Sequence, residues 1–185
     1  MLFLHFDYNT NQEVKMKKRR LAVTPPVAGL AFILGLSFFI AVFFPANSFA
    51  TKIPKGPFYI VKVKKSFKSA LFDLKQGIED ANYSILAIAP ISTGIKGIGY
   101  KIPDLKVIDF CKLMDGYKLL KYNMNYAAFM PCRIAIYKEG KYTVMISFLP
   151  SYFSRFFKNN AEQKKTIIAV TKQIIQIMDS VKTGF

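Results

Sequence analysis

The feature that most constrains this fold is a pair of strand-like runs, residues 133–138 and 141–148, joined by Glu139 and Gly140. Glycine at the second turn position accepts the positive φ that a tight hairpin turn needs. The second run alternates between two sets of side chains, namely Tyr142, Val144, Ile146 and Phe148 against Thr143, Met145 and Ser147. Because this period of two is typical of a strand with one buried face, we expect a sheet at the core of the domain.

Hydrophobic periodicity predicts the other elements. Alternating or short apolar runs favour strands at residues 58–65, 84–89 and 105–111. Apolar residues that recur every three or four positions favour helices at 67–80, within 112–129 and at 161–181, with Ser66 and Asn160 as N-caps. Proline and glycine in residues 90–104 indicate a surface loop. The prediction is one small α+β domain with a mostly antiparallel sheet, a central hairpin and about three covering helices.

Two short motifs precede the hairpin. Phe110-Cys111 ends the third predicted strand, and Met-Pro-Cys-Arg-Ile occupies residues 130–134. Together with Gly140 in the turn, these motifs make residues 59–149 similar to the DUF 302 family (domain of unknown function 302). The resemblance implies a small α+β domain that is often exported or membrane-tethered in bacteria, and it implies no common reaction.

The N-terminal fifty residues have the composition of a leader. A basic cluster at residues 17–20 precedes an uncharged apolar run at 27–44, and small residues follow up to Ala50. The run is longer than a usual signal core and approaches the length that spans a bilayer, so a signal peptide cleaved after Ala50 and an uncleaved transmembrane anchor helix both stay open. Met16 is an alternative start. We expect residues 51–185 to form an exported domain, periplasmic or anchored to the inner membrane.

Charge indicates the partners of this domain. Residues 51–185 carry 22 basic and 9 acidic side chains, a formal charge of +13, and 20 of the basic residues are lysine. Lysine is a solvated point charge, so this excess favours an anionic membrane surface or an acidic protein partner and gives little support to nucleic-acid recognition. The only histidine is His5 in the leader, which excludes enzymes that depend on histidine from the exported domain.

Cys111 and Cys132 are the only cysteines. An oxidising compartment favours a structural disulfide between two cysteines in a small domain. Buried inert thiols and a redox-active or metal-binding pair are the alternatives, and the absence of a CxxC spacing lowers the thioredoxin-like version. Arg133 could lower the pKa of the neighbouring thiol, although an arginine at a strand edge more often pairs with a carboxylate or with solvent.

Sulfur is concentrated near these cysteines. Met130 and three other methionines lie between the cysteines or in the hairpin, and soft sulfur ligands would suit Cu(I), although methionine is also ordinary core filler. Haem would lack its usual histidine ligand. The carboxylates form no paired acid and base constellation. The sequence therefore predicts no cofactor and makes Cys111, Cys132 and Met130 the weak metal candidates.

Aromatic and basic residues alternate in the segment before the last helix, at residues 151–160. Aromatic side chains that enter lipid headgroups beside cations would suit a membrane interface, and packing of the same aromatics beneath the helix is the alternative. Arg133, Arg155 and Lys158 are the candidates for anion or lipid binding. A homodimer is a further partner. We therefore expect a non-enzymatic binding or interaction module of the cell envelope, with a thiol-redox, metal-binding or haem-binding protein as the alternative.

Overall fold

The computed structural model describes residues 52–184, and the predicted leader at residues 1–50 lies outside them. The described strands are β1 Phe58–Val63, β2 Ser84–Ala89, β3 Leu105–Cys111, β4 Cys132–Glu139 and β5 Tyr142–Phe148. They form one sheet in the order β1-β5-β4-β3-β2, in which every neighbouring pair is antiparallel. The predicted α+β fold with an antiparallel sheet is confirmed.

Within the described residues, five α-helices and two short 3-10 helices accompany these strands. The α-helices are α1 Phe67–Asp80, α2 Ile91–Gly97, α3 Leu113–Leu120, α4 Pro150–Phe153 and α5 Ala161–Thr183. The 3-10 helices are Met124–Phe129 and Ser154–Phe156. Within residues 52–184 we find no helix with the length and apolar character needed to span a bilayer.

The two predicted N-caps are present, and they explain where the long helices begin. Ser69 N donates to Ser66 Oγ at 3.1 Å at the start of α1. At the start of α5, Gln163 N donates to Asn160 Oδ1 at 2.8 Å, and Asn160 N donates to Gln163 Oε1 at 3.1 Å. This reciprocal pair is a capping box, which satisfies two backbone donors that the helix leaves free.

Residues 90–104 were expected to form a loop, and the structure contains helix α2 there. Gly94 N donates to Pro90 O at 3.2 Å in the first turn of this helix. The helix packs against β3. Tertiary packing therefore outweighs the low helix propensity of its two glycines, and this part of the prediction was wrong.

The helical pattern at 112–129 corresponds to two elements, α3 and the 3-10 helix Met124–Phe129. The break has a local cause, since the Asn123 side chain accepts a hydrogen bond from Asn125 N at 3.0 Å. A side chain that caps a new turn competes with continuation of the preceding helix.

The hairpin is present, but its two-residue turn is Gly140 and Lys141 and not the predicted Glu139 and Gly140, because Glu139 still belongs to β4. Gly140 has a φ of 55°, and Glu139 pairs with Tyr142 across the turn. Helices α1 and α5 pack against each other and against one side of the sheet, which we call the covered face. Its fully buried apolar side chains are Ile108, Phe110, Ile134, Ile136 and Met145.

The opposite side of the sheet, which we call the open face, is also rich in apolar residues. Phe58 and Ile60 of β1 are 53% and 58% exposed there. Alternation along the paired strands places further apolar residues beside them, namely Val107, Ala135, Val144, Ile146 and Phe148. The fully buried side of β5 is the one with Thr143, Met145 and Ser147, and its more apolar set lies on the open face, where Val144 is also buried at 3% exposure.

Candidate functional site

A small pocket lies where the ends of β3, β4 and β5 meet α3, α4 and α5. Its cavity volume is about 50 Å³, larger than the ~10–15 Å³ that one water molecule needs. The lining is almost entirely apolar. Three sulfur atoms contribute to it, from Cys111 at the end of β3, Met130 before β4 and Cys132 at the start of β4. We call this cavity the sulfur pocket.

Gly116 of α3 leaves the space that the sulfur pocket occupies. A Cβ at this buried position would lie 3.7 Å from Met130 Sδ and 3.9 Å from Cys111 Sγ. Both distances are ordinary van der Waals contacts, so the two sulfur atoms approach the helix as closely as a single additional carbon would allow. A longer side chain here would extend among the sulfur atoms.

Aromatic rings form part of the wall of the pocket. Phe153 of α4 stacks on Phe129 with 5.4 Å between ring centroids, and meets Phe148 edge-on at 5.5 Å. Tyr126 packs on Phe157 at 4.9 Å. Such offset and edge-to-face pairs stabilise beyond their buried area, so this wall is held by ring packing. Phe153 and Phe157 of the segment proposed for a membrane interface thus make ring contacts within the domain, whereas Phe156 is 68% exposed.

The backbone around the pocket is tied to the long helix α5. Tyr126 Oη donates to Asn159 Oδ1, just before the cap of α5. Gln163 of α5 is buried, and its Nε2 donates to Leu119 O of α3 at 3.2 Å. These contacts hold α3 and the 3-10 helix against α5, and they fix the side of the pocket that carries Gly116.

Both cysteines are free thiols, so the structural disulfide expected from their number and compartment is not supported. The strand register explains why. Cys132 pairs across the sheet with Phe110, and Cys111 pairs with Ser84 on the other side of β3. The two cysteines are therefore one position out of register with each other. Their Cβ atoms do not face each other across the strands with the geometry that a cross-strand disulfide requires.

Burial controls the chemistry of the two thiols. Desolvation raises the pKa of Cys132 to about 12, and the neighbouring Cys111 and Asp115 add to the effect. Desolvation also raises the pKa of Cys111, with a further contribution from Asp115. Reactive cysteines have lowered pKa values, because the thiolate is the nucleophile. At neutral pH both side chains are therefore protonated thiols with low nucleophilicity.

Tyr83 provides the polar edge of the pocket. Its Oη donates to Gln173 Oε1 of α5 at 2.6 Å, and its ring meets Phe110 edge-on with 5.4 Å between centroids. Burial raises the pKa of Tyr83 well above its usual value, and Cys132, Asp115 and Cys111 act in the same direction. The phenol thus stays neutral and is already hydrogen-bonded, so its role here is to support the wall.

The three candidate cations lie in separate local settings. Arg133 projects on the open face, where its Nε lies 3.2 Å from Asp109 Oδ1. Arg155 stacks on the Tyr152 ring, with 3.9 Å from the guanidinium carbon to the centroid. Lys158 is exposed after the second 3-10 helix. The carboxylate partner expected for Arg133 is thus present, and the contacts of Arg133 and Arg155 are with Asp109 and Tyr152.

Metal ligation would depend on sulfur. The described residues contain no group of three histidine, cysteine or carboxylate side chains that could hold a metal ion. The candidate donors that the structure brings to one cavity are Cys111, Cys132 and Met130. These are soft ligands, which suit Cu(I) and do not suit Mg²⁺ or Ca²⁺.

The fold and this site define a small α+β domain with an apolar pocket lined by cysteine and methionine. The chain belongs to the family described as Domain of unknown function DUF302, whose profile matches residues 59–181. The resemblance seen in the two cysteine motifs is therefore confirmed. No curated protein matches this chain.

A solved structure supports the fold. The crystal structure of uncharacterized conserved protein DUF302 from Bacillus stearothermophilus superposes with a TM-score of 0.61 at 16% sequence identity. The match covers 66% of this chain and 96% of that one. At this identity the likeness concerns the fold. Because the match covers almost all of the Bacillus chain, that relative consists almost entirely of this domain.

Sequence reasoning missed Gly116 and the aromatic wall. Gly116 interrupts a helical pattern. A glycine inside a helix costs about 1 kcal/mol relative to alanine, so its presence there indicates a packing or functional reason. Phe129 and Phe153 carried no such signal. They lie 24 positions apart in the sequence, and only the fold brings their rings together.

Proposed function

We propose that this chain is a non-enzymatic binding protein of the cell envelope, and that its sulfur pocket holds a small apolar group such as the tip of an acyl chain. The observation that carries the proposal is the pocket itself, an apolar cavity walled by aromatic rings beside three sulfur atoms. Ligand sites are typically apolar concavities with few polar groups. The volume of about 50 Å³ limits the buried part of the ligand to a few heavy atoms.

The state of the thiols supports binding over thiol-redox chemistry. Cys132 and Cys111 have raised pKa values, whereas a redox-active cysteine needs a stabilised thiolate. The residues that line the pocket include no histidine that could accept a thiol proton, and the Asp115 carboxylate among them raises the pKa of both thiols further. Iodoacetamide should modify both cysteines slowly at pH 8, and rapid modification of Cys132 would favour the redox alternative.

Xenon is a suitable probe of the pocket, because it is apolar and small enough for a cavity of this size. We expect xenon to cause saturable amide shifts around Gly116 and Met130 in residues 52–184, which contain the whole family match at residues 59–181. Gly116→Leu should abolish these shifts by filling the space. Gly97→Leu is the matched control, since a Cβ at Gly97 of α2 meets nothing within 4 Å.

Two outcomes would contradict the pocket. One is the absence of saturable shifts in the wild-type domain, and the other is equal xenon binding by Gly116→Leu. Shifts in Gly97→Leu should match the wild type, which separates filling of the pocket from a general effect of leucine in a helix.

A second candidate is binding of a soft metal ion, and the observation that favours it is the convergence of Cys111, Cys132 and Met130 on one cavity. Cu(I) would displace the thiol protons and bind the two thiolates and the thioether. Competition with the chelator bicinchoninate tests this. Met130→Leu should weaken Cu(I) binding, and Met114→Leu, at an exposed methionine, should not.

Location in the envelope rests on the leader and on charge. The apolar segment at residues 27–44 supports export, and the formal +13 of residues 51–185 supports attraction to anionic lipid or to an acidic protein. The full chain should co-sediment with phosphatidylglycerol vesicles at low salt more than with phosphatidylcholine vesicles. Because surface charges are screened at high ionic strength, binding that does not weaken with salt would contradict this part of the proposal.

A further inference from the structure

We propose that the open face of the sheet is a homodimer interface, in which two copies of this chain pack sheet against sheet. This surface is distinct from the sulfur pocket, although Phe148 belongs to both. It starts from Phe58 and Ile60, which are 53% and 58% exposed on a regular strand of the sheet. Large apolar side chains that lie side by side on a monomer mark an interaction surface more often than isolated ones do.

The open face carries a continuous apolar row. Cross-strand pairing joins Ile60 to Ile146, Ile146 to Ala135, and Ala135 to Val107. The same register continues from Val107 to Ala89, so the row crosses all five strands. A second apolar pair, Phe58 and Phe148, lies two residues further along β1 and β5. This arrangement resembles the inner layer of a β-sandwich, where apolar side chains from two sheets interdigitate.

The charges on this face are paired within it. Lys62 of β1 forms an ion pair with Glu139 of β4. Arg133 of β4 lies 3.2 Å from Asp109 of β3. The open face therefore has no net charge from these four residues, whereas residues 51–185 as a whole carry a formal +13.

This neutrality favours a second copy of the chain over an anionic partner. An anionic membrane or an acidic protein would be attracted by unpaired lysines, and the cations of this face are already matched by carboxylates. A second copy presents the same neutral apolar row and needs no unpaired charge. Two copies can approach by this face with less electrostatic repulsion than by the lysine-rich remainder of the domain.

Area and shape are sufficient for a weak dimer. Five strands spaced ~4.8 Å apart, each about six residues long, outline a face of roughly 500 Å². Two such faces bury roughly 1,000 Å², the lower limit for a specific interface, so we expect a reversible dimer. Ala135 lies on the central strand β4, and its small side chain allows two sheets to approach to the ~10 Å spacing of packed sheets.

Sedimentation velocity on the full chain in a mild detergent tests the inference. The wild type should show a concentration-dependent dimer. Ile60→Glu places a charge in the apolar row and should weaken dimerisation at least ~10-fold, which corresponds to ~1.4 kcal/mol. Phe72→Glu on α1 is the matched control, because Phe72 is 61% exposed and should leave dimerisation unchanged. Both variants contain the same residues 1–51. Association through the leader would therefore be the same in both and could not produce a difference between them.

A second variant and a salt series make the test decisive. Ala135→Glu at the centre of the face should also give a monomer, and circular dichroism confirms that each variant is folded. Salt should strengthen the dimer, because it screens repulsion between two basic copies. A wild-type chain that stays monomeric, or dimers of all variants alike, would overturn the proposal. Loss of dimer in Phe72→Glu but not in Ile60→Glu would assign the contact to the helical side and would equally overturn it.

Discussion

Both faces of the sheet are rich in apolar residues, but their surroundings are very different. On the covered face, Ile134 and Ile136 have no exposed surface because α1 and α5 lie on them. On the open face, Ile60 remains 58% exposed and Ile146 is half-buried. The comparison shows that the composition of a strand face does not decide its burial. Burial depends on which side the flanking helices reach.

Buried polar residues also show that the composition of a strand face does not decide its burial. Thr143 and Ser147 lie on the covered face of β5 and are buried, although neither is apolar. Each hydroxyl is satisfied by the backbone: Thr143 Oγ1 donates to Lys65 O at 2.9 Å and Ser147 Oγ donates to Arg133 O at 2.8 Å. A buried hydroxyl with a partner is tolerated, so two polar residues do not prevent helices from covering this side.

The largest expected effect comes from shortening a side chain on the covered face. Ile134→Ala should lower the free energy of unfolding by ~3 kcal/mol, because it removes buried methyl groups and leaves a cavity. Ile60→Ala, the matched change on the open face, should cost less than ~1 kcal/mol in the monomer. Urea unfolding at low protein concentration measures both. Equal costs would mean that the two faces are equally buried in solution.

A buried hydroxyl gives the next largest effect. Thr143→Val keeps the shape of the side chain and leaves Lys65 O without its partner, so it should cost ~1–2 kcal/mol of unfolding free energy. Thr93→Val, at an exposed position of α2, is the control and should change stability by less than ~0.5 kcal/mol. If Thr143→Val stabilised the domain, the hydrogen bond to Lys65 would be unimportant.

Alkaline pH should weaken the fold through Cys132. Its pKa is raised from 9.0 to about 12, so above pH 9 the unfolded chain releases a proton that the folded chain keeps. The stability contribution is therefore fully present below pH 9 and is lost progressively between pH 9 and pH 12.

The measurement is urea unfolding at pH 7.5 and pH 10 for the wild type and for Cys132→Ala. We expect the wild type to lose roughly 1 kcal/mol more than the variant between these two values. Other titrating groups are common to both proteins and cancel in the difference. An equal loss in the two proteins would show that Cys132 does not titrate differently in the folded and unfolded states.

The smallest expected effect concerns the ion pair on the open face. The Arg133 side chain is 51% exposed and the Asp109 side chain 24% exposed, and ion pairs that solvent reaches contribute little because solvent screens them. Arg133→Met should change the free energy of unfolding of the monomer by less than ~0.5 kcal/mol. A loss above ~2 kcal/mol in urea unfolding would mean that this part of the open face is shielded from water.

Much of the fold could be predicted from local pattern. Strands β2 and β3 have the predicted bounds, the hairpin turn occurs at Gly140, and Ser66 and Asn160 cap their helices as expected. These features depend on neighbouring residues, because alternation, turn geometry and caps act over a few positions. Helix α2 was missed because its stability comes from packing against β3 and not from its glycine-rich sequence.

The candidate site was predicted only in its parts. The motifs at Cys111 and Cys132 identified the thiols, and the resemblance to the DUF 302 family identified the fold. The motifs did not reveal that Met130 and Gly116 share one cavity with these thiols, because that depends on how α3 folds back over the ends of β3 and β4. The expected disulfide was not supported for the same kind of reason, since register between distant strands controls the pairing of the cysteines.

Local sequence was therefore sufficient for the strands, the turn, the helix caps and the basic charge, since each follows from residues close together or from composition. Tertiary structure alone established which face of the sheet is covered, that the thiols are desolvated, and that Phe129 and Phe153 wall the pocket. The physical reason is that burial and desolvation are properties of a position in space. They depend on segments far apart in the sequence, as when Tyr59 of β1 donates a hydrogen bond to Asp179 of α5, 120 positions away.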